Sequence, residues 1–313
     1  MQAIHDVPAP AKLNLFLHVV GKRPDGYHLL ESIFVLIDWA DTLHFERRAD
    51  GLLSRHDSGD ALPPDDLCLR AARALQTASG CTLGADIHIE KRLPAGAGMG
   101  GGSSDAASTL LALNRLWGLN WPRSRLLELG LGLGADVPFF IGGSNAFVEG
   151  IGEILHPITL PQQSFAVLKP AASIGTKEIF SSPLLARSDS VAIVAGFPAH
   201  NSSDEKSSKS EADTASFWAG SLDGLAADFG RNDLQKPAEA CCSEVGQALR
   251  LLEQKFGNSR MTGSGSAVFA RVDGKESMSS QLTATLLEGI PSGCAGKICR
   301  SLEVHPLRGW AED

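Results

Sequence analysis

Apolar and polar residues alternate over most of residues 12–20. Leu13, Leu15, Leu17 and Val19 fall on one side, and Lys12, Asn14, Phe16 and His18 on the other. A period of two belongs to a strand. This segment is therefore expected to turn one face to the core and to hold Lys12 and Asn14 together on the second. Pro24-Asp25-Gly26 is turn chemistry, and strands are expected at 29–38, 42–47 and 85–91. The period lengthens to three and four over 66–79 and 106–117, which predicts two helices, with Gly118 placed to end the second. Residues 124–131 and 244–256 read as further helices, and 147–155, 165–168 and 267–272 as strands. Gly134-Ala135-Asp136-Val137-Pro138 reads as a turn that opens another short element.

Two prolines within 156–163 mark a boundary, which divides the chain into residues 1–160 and 161–313. A length of 313 residues suits two domains of roughly 100–200 residues each. The exception to a packed organisation is a polar insertion at about 181–222, centred on a Ser- and Lys-rich run at 201–210 too polar to bury.

Composition narrows the function classes. A net charge of −8 speaks against sequence-independent binding to nucleic acid or to anionic membranes, both of which need a basic face. The six cysteines form no CxxC pair, so neither a zinc framework nor a disulfide scaffold is expected, and a reducing, cytoplasmic compartment fits. The N-terminus lacks the basic and apolar regions of a signal peptide, and no apolar stretch approaches the ~20 residues of a membrane span.

The most distinctive segment runs from Leu93 to Asp105. Five of the seven residues from Gly96 to Gly102 are glycine, and the run lies between an expected strand and an expected helix. Such a run lets backbone N–H groups converge, and the helix start adds unpaired donors and the positive dipole end. This is an anion cradle for phosphate; the alternative is a flexible hinge. Ser103 and Ser104 place hydroxyls at the same point, and Ser104 or Asp105 can also cap the helix. Gly96, Gly98 and Gly101 satisfy the dinucleotide pattern G-x-G-x-x-G, but a second helix follows where that motif needs a strand ending in an acid. A Walker loop is excluded because no Gly-Lys-Ser/Thr follows the glycines. Asp228-Phe229-Gly230 spells a kinase triplet without its companion motifs. Three further features stay open on the residues alone. Lys12 is a solvated strand lysine or a site residue; Asp136 is a helix cap or a functional carboxylate; the Gly-Ser segment at 261–266 is a plain turn or a second glycine loop facing the first.

Taken together, Pro10-Ala-Lys-Leu-Asn-Leu-Phe-Leu17, Pro24-Asp-Gly-Tyr-His28, residues 93–107, Leu133-Gly-Ala-Asp-Val-Pro138 and residues 261–270 resemble the GHMP kinases. The likeness is to the branch that phosphorylates the 2-hydroxyl of 4-diphosphocytidyl-2-C-methyl-D-erythritol, on the non-mevalonate route to isoprenoid precursors. It covers most of the chain and fades between about 181 and 223. It implies an α+β fold with two domains, an N-terminal one like ribosomal S5 domain 2 and a ferredoxin-like C-terminal one, with the active site in the cleft between them. It further implies Asp136 as the catalytic aspartate and Lys12 as its partner. Pro94, Gly96, Gly98, Gly100, Gly101, Gly102, Ser103 and Ser104 would wrap the phosphates of ATP, with Lys91 beside the adenine. Asn14, Tyr27, His28, Thr176 and Phe180 would hold the substrate, its cytosine stacked between aromatic faces; Tyr27 is the single tyrosine of the chain. The partners implied are ATP with Mg²⁺ and the cytidine diphosphate-linked alcohol, for a monomer or weak homodimer; the metal ligands stay unassigned. Asp66 departs from the Asn more common in this branch, and a carboxylate cannot donate as an amide does. The rival readings are another small-molecule kinase of the superfamily, of homoserine or mevalonate type, and an inactive nucleotide-binding regulator on the same fold.

Overall fold

The computed structural model describes residues 1–59, 61–186, 231–272, 283, 286 and 288–313, so most of the polar insertion lies outside the described residues. Two sheets carry the chain. The first has six strands, β1 (Ala3–Lys22), β2 (His28–Arg48), β3 (Leu53–Ser58), β4 (Gly84–Glu90), β5 (Ala146–Glu149) and β6 (Ile154–Pro157), in the order β3-β4-β2-β5-β6 with β1 also paired to β2. Only β3 and β4 run parallel, joined through helix α1 (Leu67–Ser79). The second sheet is antiparallel, built from β7 (Ser164–Lys169), β8 (Arg260–Met261), β9 (Val268–Val272) and β10 (Ala295–Arg300) in the order β10-β7-β9-β8. Numbered within the sheet this is 4-1-3-2, the ferredoxin-like order.

Helices α2 (Gly101–Leu116), α3 (Arg123–Leu131) and α4 (Val137–Gly142) join α1 over the first sheet. Helices α5 (Thr176–Phe180), α6 (Gln235–Cys241) and α7 (Ser243–Phe256) belong to the second half. Three apolar clusters cement these layers. Phe34, Leu36, Leu43 and Phe45 pack toward α1–α4, and Leu168, Val268 and Ala270 pack with Val245 and Leu249 of α7. Between the sheets, Leu13, Phe16, Ile33 and Val35 meet Phe165, Val167 and Phe269. The expectation of one core face for β1 is therefore corrected: both faces are buried from Ala9 to Val19, because the second sheet covers the side that a lone sheet would leave wet.

Other elements also differ from the pattern. The two strands expected at 29–38 and 42–47 are one continuous β2, paired with β1 through four register shifts; such bulges bend long strands without breaking them. The strand expected at 147–155 is a hairpin, β5 and β6, that turns at Gly150 and Gly152 with φ of 73° and 117°. β3, β10, α5 and α6 are not apparent from periodicity. All six cysteines are free, and among the described residues no helix is long and apolar enough to cross a membrane.

The last residues return to the first half. Leu302 N–H donates to Leu36 O and His305 N–H to Gly143 O, while Leu307 and Ala311 join the cluster under α2–α4. Arg123, at the start of α3, anchors this tail. Its buried guanidinium donates to Ile141 O and Ala311 O, each at 2.7 Å, and also to Arg308 O and Asp313. Removing it strands several carbonyls away from water. Arg123→Ala is expected to cost about 3 kcal/mol in urea unfolding; a loss below about 1 kcal/mol would show that the tail is held by apolar packing alone.

Candidate active site

The glycine run forms a tight loop that passes straight into α2. Gly96, Gly98 and Gly100 have φ of 61°, 71° and 71°, a region open to glycine at little steric cost. Space forbids a side chain as well. A Cβ on Gly98 would lie 2.4 Å from Thr262 O, and one on Gly100 would lie 2.9 Å from the Phe140 ring. The carbonyls of the run are drawn into the protein: Gly96 O accepts from Ser266 N–H, Ala97 O from Ala267 N–H and Met99 O from Lys12 N–H, at 3.0–3.2 Å. In a trans peptide the N–H points away from its carbonyl. The N–H groups of Ala97, Gly98 and Gly100 are thus turned to the opposite side, where an anion meets donors rather than lone pairs.

The helix starts five residues before the apolar period does, at Gly101, with Gly100 in the left-handed conformation as its N-cap. Neither Ser104 nor Asp105 caps it, which corrects that expectation. Ser104 is buried one turn in and its hydroxyl donates to Pro10 O at 2.7 Å, while Asp105 pairs with Lys91 at 2.7 Å. Ser103 stays half-buried on the loop side, Pro94 is half-buried at the start of the loop and Gly102 is exposed.

The second Gly-Ser segment faces the first. Besides the main-chain bonds from Ser266 and Ala267, a Cβ on Gly263 would lie 2.5 Å from Gly98 O. Asn232 fixes this segment, its amide donating to Met261 O and Gly263 O at 2.8 Å each. Sequence reasoning misses Asn232; its signal is the polar Asn-Asp pair just before the apolar Leu234 that opens α6. Thr262 Oγ1 accepts from Asn14 N–H at 2.9 Å, and Thr176 Oγ1 lies 2.9 Å from Ser264 Oγ.

Lys12 and Asn14, two residues apart on β1, come together as the alternation predicts. Lys12 Nζ donates to Asn14 Oδ1, sits 4.3 Å over the Phe34 ring and lies 3.7 Å from Asp136 Oδ2. Asp136 stands at the N-cap position of α4, yet its side chain makes no cap hydrogen bond. The capping alternative therefore fails and the carboxylate points to Lys12. The Lys12 ammonium is 4% exposed and Asp136 31%. Burial pushes the Lys12 ammonium below its ordinary 10.5, and Asp136 pulls it part of the way back.

The His28 and Phe180 rings stack with centroids 5.1 Å apart and planes 18° apart, while Tyr27 is 60% exposed. The structure thus sets His28, not Tyr27, against Phe180. On the other flank, Lys91 donates its ammonium to Asp41 and Asp105. Asp66 is the N-cap of α1, accepting from Cys68 N–H and Leu69 N–H at 3.1 Å, and is paired with Arg55 at 2.6 Å. Its carboxylate is consumed by these partners.

Comparison with known proteins follows the same lines. Residues 66–144 match the family model for the GHMP kinases N terminal domain, and residues 218–285 that for the GHMP kinases C terminal. A protein of Methylibium petroleiphilum named 4-diphosphocytidyl-2-C-methyl-D-erythritol kinase is 58% identical over 313 residues, with 99% of each chain covered. Among solved structures, a 4-(cytidine 5'-diphospho)-2C-methyl-D-erythritol kinase is similar at a TM-score of 0.72 and 29% identity, over 93% of this chain and 98% of that one. A homoserine kinase from Cytophaga hutchinsonii, at a TM-score of 0.64 and 14% identity over 97% and 96% of the two chains, shares the fold. By fold, by glycine loops and by full-length likeness, the chain belongs to the 4-diphosphocytidyl-2-C-methyl-D-erythritol kinase family of the GHMP kinases.

Proposed function

We propose that this chain transfers the γ-phosphoryl group of ATP to the 2-hydroxyl of 4-diphosphocytidyl-2-C-methyl-D-erythritol, a step of the non-mevalonate route to isoprenoid precursors. The observation that carries the chemistry is the Lys12–Asp136 pair beside a loop whose N–H groups are turned outward. Asp136 accepts the hydroxyl proton as that oxygen attacks the γ-phosphorus; the bond from phosphorus to the bridging oxygen breaks and ADP leaves. Lys12, 3.7 Å from Asp136, and Asn14 fix the attacking oxygen. Phosphoryl transfer has a loose transition state, so placement and charge stabilisation outweigh proton removal. The glycine loop and the first turn of α2 hold the triphosphate. Mg²⁺ arrives with ATP as part of that substrate and neutralises charge on the phosphates. Among the described residues no three His, Cys, Asp or Glu side chains are grouped to hold a metal ion of the protein's own.

The base end of the substrate separates this reading from its rivals. Tyr27, His28 and Phe180 suit a nucleobase, whereas homoserine and mevalonate carry nothing to stack. The intact Lys12–Asp136 pair speaks against an inactive regulator. The reading carries with it a cytoplasmic enzyme of small molecules that works as a monomer or weak homodimer.

Three experiments test it. Offered the cytidyl alcohol, mevalonate and homoserine in parallel with MgATP, the protein should turn over the first alone, and Asp136→Asn should lower kcat by about 10²-fold or more with ATP binding retained. Turnover of another alcohol, or near-normal kcat in Asp136→Asn, would overturn the assignment. Tyr27→Ala should raise KM for the cytidyl substrate and leave KM for ATP unchanged; equal KM values for both proteins would remove the aromatic seat. The third concerns pH. Because burial lowers the Lys12 pKa, its cation is lost as pH rises through a value below 10.5, so activity should fall on the alkaline side. Lys12→Arg cannot deprotonate in that range. Its residual activity should lack this limb, and a limb of unchanged position would assign the titration to another group.

A further inference from the structure

Asp41 lies in the middle of β2, 0% exposed, at a position where the sequence shows only a polar interruption between two apolar runs. Its two oxygens do separate work. Oδ1 accepts from Arg92 N–H at 2.6 Å and Leu93 N–H at 2.8 Å, the two residues that lead into the glycine loop. Oδ2 accepts from Lys91 Nζ, and the same ammonium donates to Asp105 Oδ2 at 2.7 Å. Asp105 stands in the second turn of α2, just beyond the loop. One ammonium between two buried carboxylates therefore joins both ends of the loop, and a Cβ on Gly101 would already lie 3.9 Å from Asp41 Oδ2. The charges suit the task. Burial penalises the Lys91 cation, but Asp105 and Asp41 raise its pKa on balance, so it stays charged. Burial pushes the Asp105 carboxyl up to about 7, with Lys91 pulling down and Asp41 pushing further up.

A loop with five glycines in seven residues has much backbone freedom to lose when it orders. Fixing its ends in the free protein reduces what nucleotide binding must supply. We infer that Asp41 is a positioning residue for ATP, a clasp that, with Lys91 and Asp105, holds the phosphate loop in its binding shape before the nucleotide arrives. The inference rests on the reading of this loop as the ATP site.

ATP binding to the full chain, measured by calorimetry without the alcohol substrate, tests it. Asp41→Ala should weaken ATP by about tenfold or more, while affinity for the cytidyl alcohol stays within about twofold. Asp41→Asn, which keeps a carbonyl oxygen for the Arg92 and Leu93 N–H groups, should lose less. Amide exchange over residues 92–104 should quicken in the free variants. A merely structural role predicts a lower melting temperature with both affinities changed alike, and that outcome would overturn the inference. So would ATP affinity and loop exchange unchanged in folded variants; where Asp41→Ala does not fold, Asp41→Asn decides. Failure of the unmodified chain to bind ATP would sink the nucleotide reading, and the inference with it.

Discussion

The structure depends on one close approach, the contact of two glycine backbones from opposite halves of the chain. Gly98 and Gly263 meet where any Cβ would overlap the facing main chain, at 2.4 and 2.5 Å. Ordinary side chains would hold these segments several ångströms further apart. Without that contact Ser266 and Ala267 could not take up the carbonyls of Gly96 and Ala97, and the loop would lose the force that turns its N–H groups outward. The same contact sets the geometry of the reacting groups. Lys12 is tied to the loop through Met99 O, and Asn14 to the second segment through Thr262. The glycine loop, Lys12 and Asn14 thus share one backbone frame.

Two buried lysines show how surroundings divide labour between like residues. Lys91 has two buried carboxylates about one ammonium and stays charged. Lys12 has a single, partly exposed carboxylate, an aromatic face and an amide oxygen, and burial wins over attraction. The first arrangement is static and fits a clasp. In the second, a cation held at some cost becomes more favourable as negative charge gathers nearby, which under the proposed function an incoming triphosphate supplies. Sequence spacing cannot separate these roles, since both lysines sit in or beside strands.

Much of the fold and of the site is legible in the sequence. The period of two in β1 puts Lys12 and Asn14 on one face, and the glycine run announces a cradle. The missed features share a physical cause: each is settled by tertiary contact against local preference. Residues Gly101–Ser104 are poor helix formers, yet they are helical where Gly101 and Gly102 pack close to Leu93 and Leu67 and Ser104 bonds to Pro10. Asp41 reads as a break in β2, but its carboxylate finds three donors in the protein and the strand runs on. Gly150 and Gly152 read as strand glycines, whereas their positive φ makes a hairpin whose turn passes beside Asp136, 3.6 Å from where a Gly152 Cβ would lie. Asn232 pairs with a segment about 30 residues away, a distance no local pattern reports.

The stacked His28–Phe180 pair carries a geometric consequence for the proposed function. With 5.1 Å between the His28 and Phe180 centroids, the two rings already make a stacked pair, and a nucleobase inserted between them would force them apart. On the proposed function, a cytosine that uses the Phe180 face requires the His28 ring to move aside. Tyr27, at 60% exposure, is not part of this stacked pair. The energetic logic favours the exchange only for a ligand with an extended π-face, because an acyclic alcohol offers no stacking to offset the lost His28–Phe180 contact. Under the proposed function, selectivity at this end arises as much from the ring pair that separates as from the stacking that replaces it.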